Sequence, residues 1–163
     1  MKCADLIGTY YANPSSGTRT VYALAIDLDA DKADEQWKTK GALDWGKIRP
    51  FLLEEYPFLL DYLCQVTKST SGLGLSVLFA ISPLEIKEST KTAQRAAEAL
   101  RKGLVQLFSM HGIGADPAAR GIARDVPNWR NPLRVVEDRD LIRRSIDRNG
   151  RPAVMGCCGI STS

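Results

Sequence analysis

Residues 21–29, Val21-Tyr-Ala-Leu-Ala-Ile-Asp27-Leu-Asp29, run almost wholly apolar and then present two carboxylates two positions apart. A short apolar run of this kind, preceded by the turn-rich Asn13-Pro-Ser-Ser-Gly17, has the pattern of a buried strand, expected over residues 21–28. Side chains of a strand alternate between faces, so Asp27 and Asp29 project together from its polar end. Two close carboxylates repel unless one is protonated or a cation lies between them. Hard oxygen donors suit Mg²⁺ or Mn²⁺. The competing reading is a strand running into an acidic turn, since Asp31, Asp34 and Glu35 follow. An EF-hand is excluded, because a loop starting at Asp27 would have Lys32 and Lys38 where that motif needs Gly and Glu.

At 163 residues, 44% of them hydrophobic and 25% charged, the chain can build one cored domain and is short for two. No apolar run approaches the roughly 20 residues of a membrane span, and Met1-Lys-Cys-Ala-Asp lacks the apolar core of a secretory signal. A cytoplasmic protein without a membrane partner is expected. Four cysteines (Cys3, Cys64, Cys157, Cys158) match no zinc spacing, and the vicinal pair cannot close an ordinary disulfide framework, so reduced thiols are expected.

The net charge of +3 is unevenly spread: residues 1–60 hold seven basic and nine acidic side chains, whereas residues 61–163 hold fifteen and ten. Between Arg120 and Arg151 the basic residues are nine arginines and no lysine. Arginine's planar fork favours bidentate phosphate contacts, which points to phosphate or nucleic acid as a partner. The alternative is an arginine-rich helix laced by Glu137, Asp138, Asp140 and Asp147 in solvated ion pairs.

Elements alternate along the chain. Residues 44–62 read as helical but interrupted by Pro50 and Pro57, giving two short helices or a kinked one. Residues 63–68 and 74–81 read as a hairpin around the turn Ser69-Thr-Ser-Gly-Leu-Gly74. The clearest helix is 91–110, with Ala93, Ala96, Ala97, Leu100, Leu104, Leu107 and Phe108 on one stripe before Gly112 and Gly114. Residues 117–132 read as irregular, with a short strand at 133–137 and a helix at 138–147 to follow.

Two further motifs carry chemistry. In Lys68-Ser-Thr-Ser71-Gly72-Leu-Gly74-Leu-Ser76, glycines allow a tight turn and exposed amides and hydroxyls can receive phosphate oxygens; a plain hairpin turn explains the same residues. The loop is neither a Walker A loop nor a dinucleotide fingerprint, because it lacks Gly-Lys-Ser/Thr and leads into a strand. In Asp116-Pro-Ala-Ala-Arg120-Gly-Ile-Ala-Arg124-Asp-Val-Pro127-Asn128-Trp-Arg130, the carboxylate can complete the Asp27 and Asp29 pair while Arg120 and Arg124 neutralise a triphosphate. Its alternative is a loop in which Asp116 caps a helical turn and the arginines are solvated.

Taken in order, the three motifs resemble the archaeo-eukaryotic primase superfamily, including the primase-polymerase domains of plasmids and mobile elements, over roughly residues 20–135. A strand ending in Asp-x-Asp/Glu is matched by Asp27-Leu-Asp29. The hairpin motif Ser-Gly-x-Gly-x-His is matched by Ser71-Gly-Leu-Gly-Leu-Ser76 except at its last position. A later acidic residue before an Arg, Pro and Asn element is matched by Asp116, Arg124, Pro127 and Asn128.

The resemblance implies an α+β fold with an RRM-like antiparallel or mixed sheet packed by helices; length and composition give a single compact domain over residues 1–150, and the end of the chain, without helical or strand period, reads as a flexible tail at 151–163 or a cut before another domain. It implies a DNA primase/polymerase, a nucleotidyltransferase acting on nucleoside triphosphates and a single-stranded DNA template in plasmid or mobile-element replication. A helicase or replication-initiator domain would be a partner. Asp27, Asp29 and Asp116 would be catalytic and would hold two Mg²⁺ or Mn²⁺ ions; Ser71, Gly72, Gly74, Ser76, Arg120 and Arg124 would contact nucleotide phosphates; Lys68, Asn128, Trp129 and Arg130 would contact nucleic acid, Trp129 by stacking.

One departure matters: the family histidine is Ser76 here, which brings one donor and no charge. The chain's single histidine, His111, falls at a helix end outside the motif, where the helix dipole suits it. That loss motivates a second reading, a non-catalytic relative that holds nucleic acid for another replication domain. A haloacid-dehalogenase-like phosphatase built on Asp27 and Asp29 fits poorly, because Asp31 stands where that chemistry wants Thr or Val.

Overall fold

The computed structural model describes residues 6–8, 10–12, 15, 18–87, 91–117, 125–127 and 134–139. Two short strands, β1 (Leu6–Gly8) and β2 (Tyr10–Ala12), precede the long β3 (Arg19–Leu28). Beyond β3 the chain makes two 3₁₀ turns, Ala30–Lys32 and Glu35–Trp37, and a small hairpin of β4 (Lys38–Thr39) and β5 (Ala42–Leu43). Lys40 and Gly41 take φ of 53° and 78°, the positive pair that a two-residue hairpin turn demands.

Helices α1 (Trp45–Glu55) and α2 (Pro57–Asp61) follow, then β6 (Leu63–Lys68), β7 (Leu75–Ile86), α3 (Thr92–Met110), β8 (Asp125–Pro127) and β9 (Val135–Asp138). The two prolines divide the labour unequally. Asp44 caps α1 by accepting the Gly46 N–H at 2.9 Å, and the helix passes through Pro50 with Trp45, Ile48 and Leu52 buried. The break comes at Pro57, which opens α2, where no intrahelical N–H is needed.

The main sheet has the order β2-β3-β7-β6-β9, antiparallel at every pairing. Strand β7 lies between β3 and β6, which α1 and α2 connect, so the centre is a split βαβ unit. The α+β class is therefore as expected, with an antiparallel rather than mixed main sheet. Strands β1 and β8 pair separately.

Both faces of β3 are buried from Val21 to Ile26, the stretch over which its sequence is continuously apolar. Leu24, Ile26 and Leu28 join Leu75, Val77, Phe79 and Ile81 of β7 in the main core beneath the helices. On the other face Ala23 pairs with Ala80, Ala25 with Leu78 and Asp27 with Ser76, a row turning from apolar to polar toward the end of β3. Helix α3 packs on β3 and β7. Its stripe differs from the expected one: Ala97, Leu104 and Phe108 are buried, but Ala96 is exposed and Arg101 takes a core-facing place, its Nη2 held 3.2 Å from Glu98.

The expected helix at 138–147 is corrected at its first residue, since Asp138 closes β9 and pairs with Gln65 of β6. β9 is anchored to α1 through Glu137, whose Oε1 accepts from Trp45 Nε1 at 2.7 Å and Arg49 Nε at 2.8 Å. Residues 140–147, the tail at 151–163 and most of 117–132 lie outside the described residues. No helix among the described residues is long and apolar enough to cross a membrane.

Candidate active site

Asp27 lies at the last polar position of β3, opposite Ser76, which in turn lies opposite Thr67 of β6. Directly opposed residues share a face. Just beyond the end of α3, the chain returns alongside β3: Ala115 bridges Leu28, the Asp29 N–H donates to the Gly114 carbonyl at 2.8 Å, and the Asp116 N–H donates to the Asp27 carbonyl at 2.9 Å. That register puts Thr67, Ser76, Asp27 and Asp116 in one row across the sheet. Gly114 permits it, with φ of +92° and a Cβ that would collide with the Asp29 carbonyl.

The turn joining β6 to β7 closes the other side. Gly74 is needed because a Cβ there would lie 2.5 Å from the Leu28 carbonyl oxygen. The loop largely satisfies itself: the Gly72 N–H donates to the Ser69 carbonyl, the Leu73 N–H to Ser71 Oγ, and the Gly74 N–H to Ser69 Oγ at 3.0 Å. The Ser69 and Ser71 hydroxyls bond each other at 3.1 Å, so one of their two protons stays available. The amides of residues 72–74 are thus spent inside the turn, while its hydroxyls line the cleft.

Between these walls is a cleft of about 470 Å³ lined by Asp27, Asp29, Asp31 and Asp116, by Ser69, Thr70, Ser71, Gly74 and Ser76, and by Leu73, half-exposed at its edge. Ser76 is 7% exposed and its Oγ has no hydrogen-bond partner among the described residues. A buried hydroxyl without a partner costs about 1–3 kcal/mol, so its presence on the cleft wall points to a ligand that completes it.

Asp29 is partly committed to its own turn, accepting the Asp31 N–H at 3.0 Å. Lys32, from the same turn, places Nζ 2.9 Å from Asp116 Oδ1, with the two side chains 47% and 29% exposed. The hydrogen bond to Asp116 raises the Lys32 pKa above its ordinary 10.5; burial pulls the other way, and the negative charges of Asp116 and Asp29 add to the rise. Lys32 is therefore fully cationic at neutral pH.

The donor set matches a hard divalent cation in kind: carboxylate oxygens and one unsatisfied hydroxyl. Among the described residues, however, no group of three or more His, Cys, Asp or Glu converges closely enough to hold one. Asp116 leans on Lys32.

Of the residues singled out from sequence, the cleft gathers Asp27, Asp29, Asp116, Ser71, Gly74 and Ser76. Lys68 and Gly72 line a different, smaller cleft of about 240 Å³ with Asp44, Trp45 and Gly46 at the start of α1, because Lys68 is one position out of phase with Thr67 and points to the opposite face. Arg120, Arg124, Asn128, Trp129 and Arg130 lie outside the described residues. His111 caps the end of α3 away from the cleft; its Nε2 and the Tyr56 hydroxyl are 2.7 Å apart, its carbonyl accepts from Trp37 Nε1, and its ring packs on Phe51.

Sequence reasoning missed Lys32, Asp31 and Leu73. Lys32 had a readable signal, standing three residues after Asp29, one turn of a 3₁₀ helix. Leu73 had none, since its exposure depends on how the turn sits against β5, where its carbonyl accepts the Leu43 N–H. No protein-family model, curated protein or solved structure matches this chain.

Proposed function

We propose that this chain is a metal-dependent nucleotidyltransferase of the primase-polymerase kind, making or extending primers on single-stranded DNA in plasmid or mobile-element replication. The observation that carries this reading is the convergence of Asp27, Asp29 and Asp116 with the Ser69–Ser76 turn on one cleft, although they come from three separated stretches of chain. The split βαβ sheet supports it as a frame for an RRM-like core, with the edge beside β3 occupied by β2. The all-antiparallel main sheet counts against the dehalogenase-like alternative, which needs a doubly wound parallel one.

Asp27, Asp29 and Asp116 would hold Mg²⁺ or Mn²⁺. When bound, such ions lower the pKa of an attacking 3′-hydroxyl and neutralise charge on the leaving pyrophosphate. The chain's own contribution is to orient the nucleotide. Ser76 Oγ and the spare hydroxyl proton of the Ser69 and Ser71 pair donate to phosphate oxygens. Leu73 offers an apolar surface at the cleft edge for sugar or base. Roles for Arg120 and Arg124 on phosphate, and for Lys68, Asn128, Trp129 and Arg130 on nucleic acid, rest on the family resemblance.

The test is incorporation of labelled nucleotide on a single-stranded template with Mn²⁺, beside the Asp27→Ala/Asp29→Ala double variant. Product from the wild type and none from the variant is expected; undiminished product from the variant would remove the metal assignment.

A second reading, a catalytically impaired primase-like module that binds nucleic acid, is favoured by two observations: Ser76 stands where the family has histidine, and Asp116 is engaged by Lys32. Oligonucleotide binding without product under the same conditions would select it.

A further inference from the structure

Lys68 and Arg134 stand opposite each other where β6 meets β9. Thr67 pairs with Val135, and one step further along the Lys68 N–H donates to the Arg134 carbonyl at 2.7 Å. Directly opposed residues share a face, and like charges so placed repel. Lys68 is exposed and Arg134 partly buried; the Arg134 Nη1 is itself buried and has no hydrogen-bond partner among the described residues. Neither cation belongs to an ion pair among the described residues. A buried guanidinium nitrogen without an acceptor, beside a second positive charge, is costly unless one anion answers both.

The face that carries Lys68 holds the smaller cleft of about 240 Å³, lined also by Thr39, Asp44, Gly46, Gly72 and Val136. The nearby carboxylates are committed elsewhere. Asp44 Oδ1 accepts the Gly46 N–H at 2.9 Å and its Oδ2 the Thr39 hydroxyl at 2.7 Å, while Glu137 Oε1 accepts from Trp45 and Arg49.

From these observations, we infer that Lys68 and Arg134 together hold one phosphate of a single-stranded nucleic acid, across the Ser69–Gly74 turn from the acidic cleft. The inference rests on the nucleic-acid part of the proposed function and needs no metal ion; it adds Arg134 to that part and gives Lys68 a partner in it. A phosphodiester has two unbridged oxygens, one for the ammonium and one for the guanidinium, and both contacts are charge-assisted. The cleft is smaller than the roughly 300–1,000 Å³ that takes a whole small ligand. It therefore admits a phosphate while the rest of the ligand runs on outside, as a strand does and a free nucleotide does not. Val136, 38% exposed on the same cleft, offers the adjoining sugar an apolar wall. Contacts of this kind position a strand without reading its bases.

The experiment follows the anisotropy of a labelled single-stranded oligodeoxynucleotide in EDTA, so that no divalent cation takes part, with wild type, Lys68→Gln, Arg134→Met, Arg134→Lys and the K68Q/R134M double variant. Each of K68Q and R134M should bind about three- to tenfold more weakly, the effect of one charge-assisted contact. R134K, a point charge without the planar fork, should fall between wild type and R134M. The double variant should make the slope of log K against log salt shallower by about 0.7, the share of one phosphate on a single strand. R134M keeps the length of the stem and removes the unpartnered nitrogen, so its melting temperature should not fall; if it does, K68Q, at an exposed position, decides the matter alone.

Unchanged oligonucleotide affinity in K68Q overturns the site, as does a wild type that binds no oligonucleotide. A slope change of about 1.4 in the double variant overturns the sharing of one phosphate, since each cation would then hold its own. A competing deoxynucleoside triphosphate whose binding is weakened by these variants more than that of the oligonucleotide overturns the strand as the source of the phosphate. The Asp27→Ala/Asp29→Ala variant should bind the oligonucleotide as the wild type does. A wild type that incorporates no nucleotide but loses oligonucleotide affinity on K68Q substitution removes the polymerase reading and supports this site.

Discussion

Under the proposed function, individual side chains in the cleft serve binding at the expense of stability. The Ser76 hydroxyl is the plainest case: buried, it has no hydrogen-bond partner among the described residues. Ser76→Ala should leave the melting temperature unchanged or raise it by about 1–2 °C, while weakening metal-nucleotide binding about three- to tenfold. Differential scanning fluorimetry beside a nucleotide titration checks this, and a marked fall in melting temperature would mean that the hydroxyl has a structural partner. Gly74 is the converse, a residue kept for space. Gly74→Ala drives a Cβ toward the Leu28 carbonyl and should cost about 2 kcal/mol in urea unfolding, with the loop displaced from Asp27 and Asp29. Gly72, whose Cβ would meet nothing within 4 Å, has positive φ as its constraint.

At the scale of elements, β9 depends on α1. Only one carboxylate oxygen, Glu137 Oε1, serves both the Trp45 indole N–H and the Arg49 guanidinium, joining residues about ninety positions apart. Glu137→Ala leaves the buried indole N–H without an acceptor and should destabilise the protein by about 2 kcal/mol; Glu137→Gln keeps a carbonyl acceptor and should cost less than about 1 kcal/mol. Chemical denaturation of both variants distinguishes loss of the acceptor from loss of the charge. Strand and helix identity here was largely readable from pattern. The apolar runs of β3, β6 and β7 and the stripe of α3 are local periodicities, and local periodicity is what covalent geometry dictates. Misreadings arose where tertiary contacts decide: β7 continues to Ile86 because it follows β3 back to Arg19, and Asp138 is a strand residue because β6 offers it a partner. Arg101 occupies a core-facing place that no hydrophobicity pattern assigns to a charge, because Glu98 accompanies it.

For the whole molecule, the proposed function would divide two tasks, cation binding by the acidic cleft and phosphate binding by the basic surplus of residues 61–163. If the basic surplus engages nucleic acid, affinity for a single-stranded oligonucleotide must fall with salt as counterions compete, with a slope of log K against log salt of about −2 or steeper. Fluorescence anisotropy across a salt series measures it. A flat profile would remove nucleic acid as the partner of this surface, under either reading of the function.

Sequence by itself determined the acid pair and its common face, because alternation along a strand needs no knowledge of what lies beside it. It also determined that a glycine-bearing turn would join two neighbouring strands, since turn chemistry is encoded within a few residues. Only the tertiary structure decided that Asp116 sits beside Asp27, that Ser76 faces it from β7, that Lys68 turns away, and that Lys32 finds a carboxylate 84 residues distant. The reason is register: a shift of one residue in either pairing of β3 would put Ser76 or Asp116 on the opposite face, and register is set by the packing of the whole sheet against its helices.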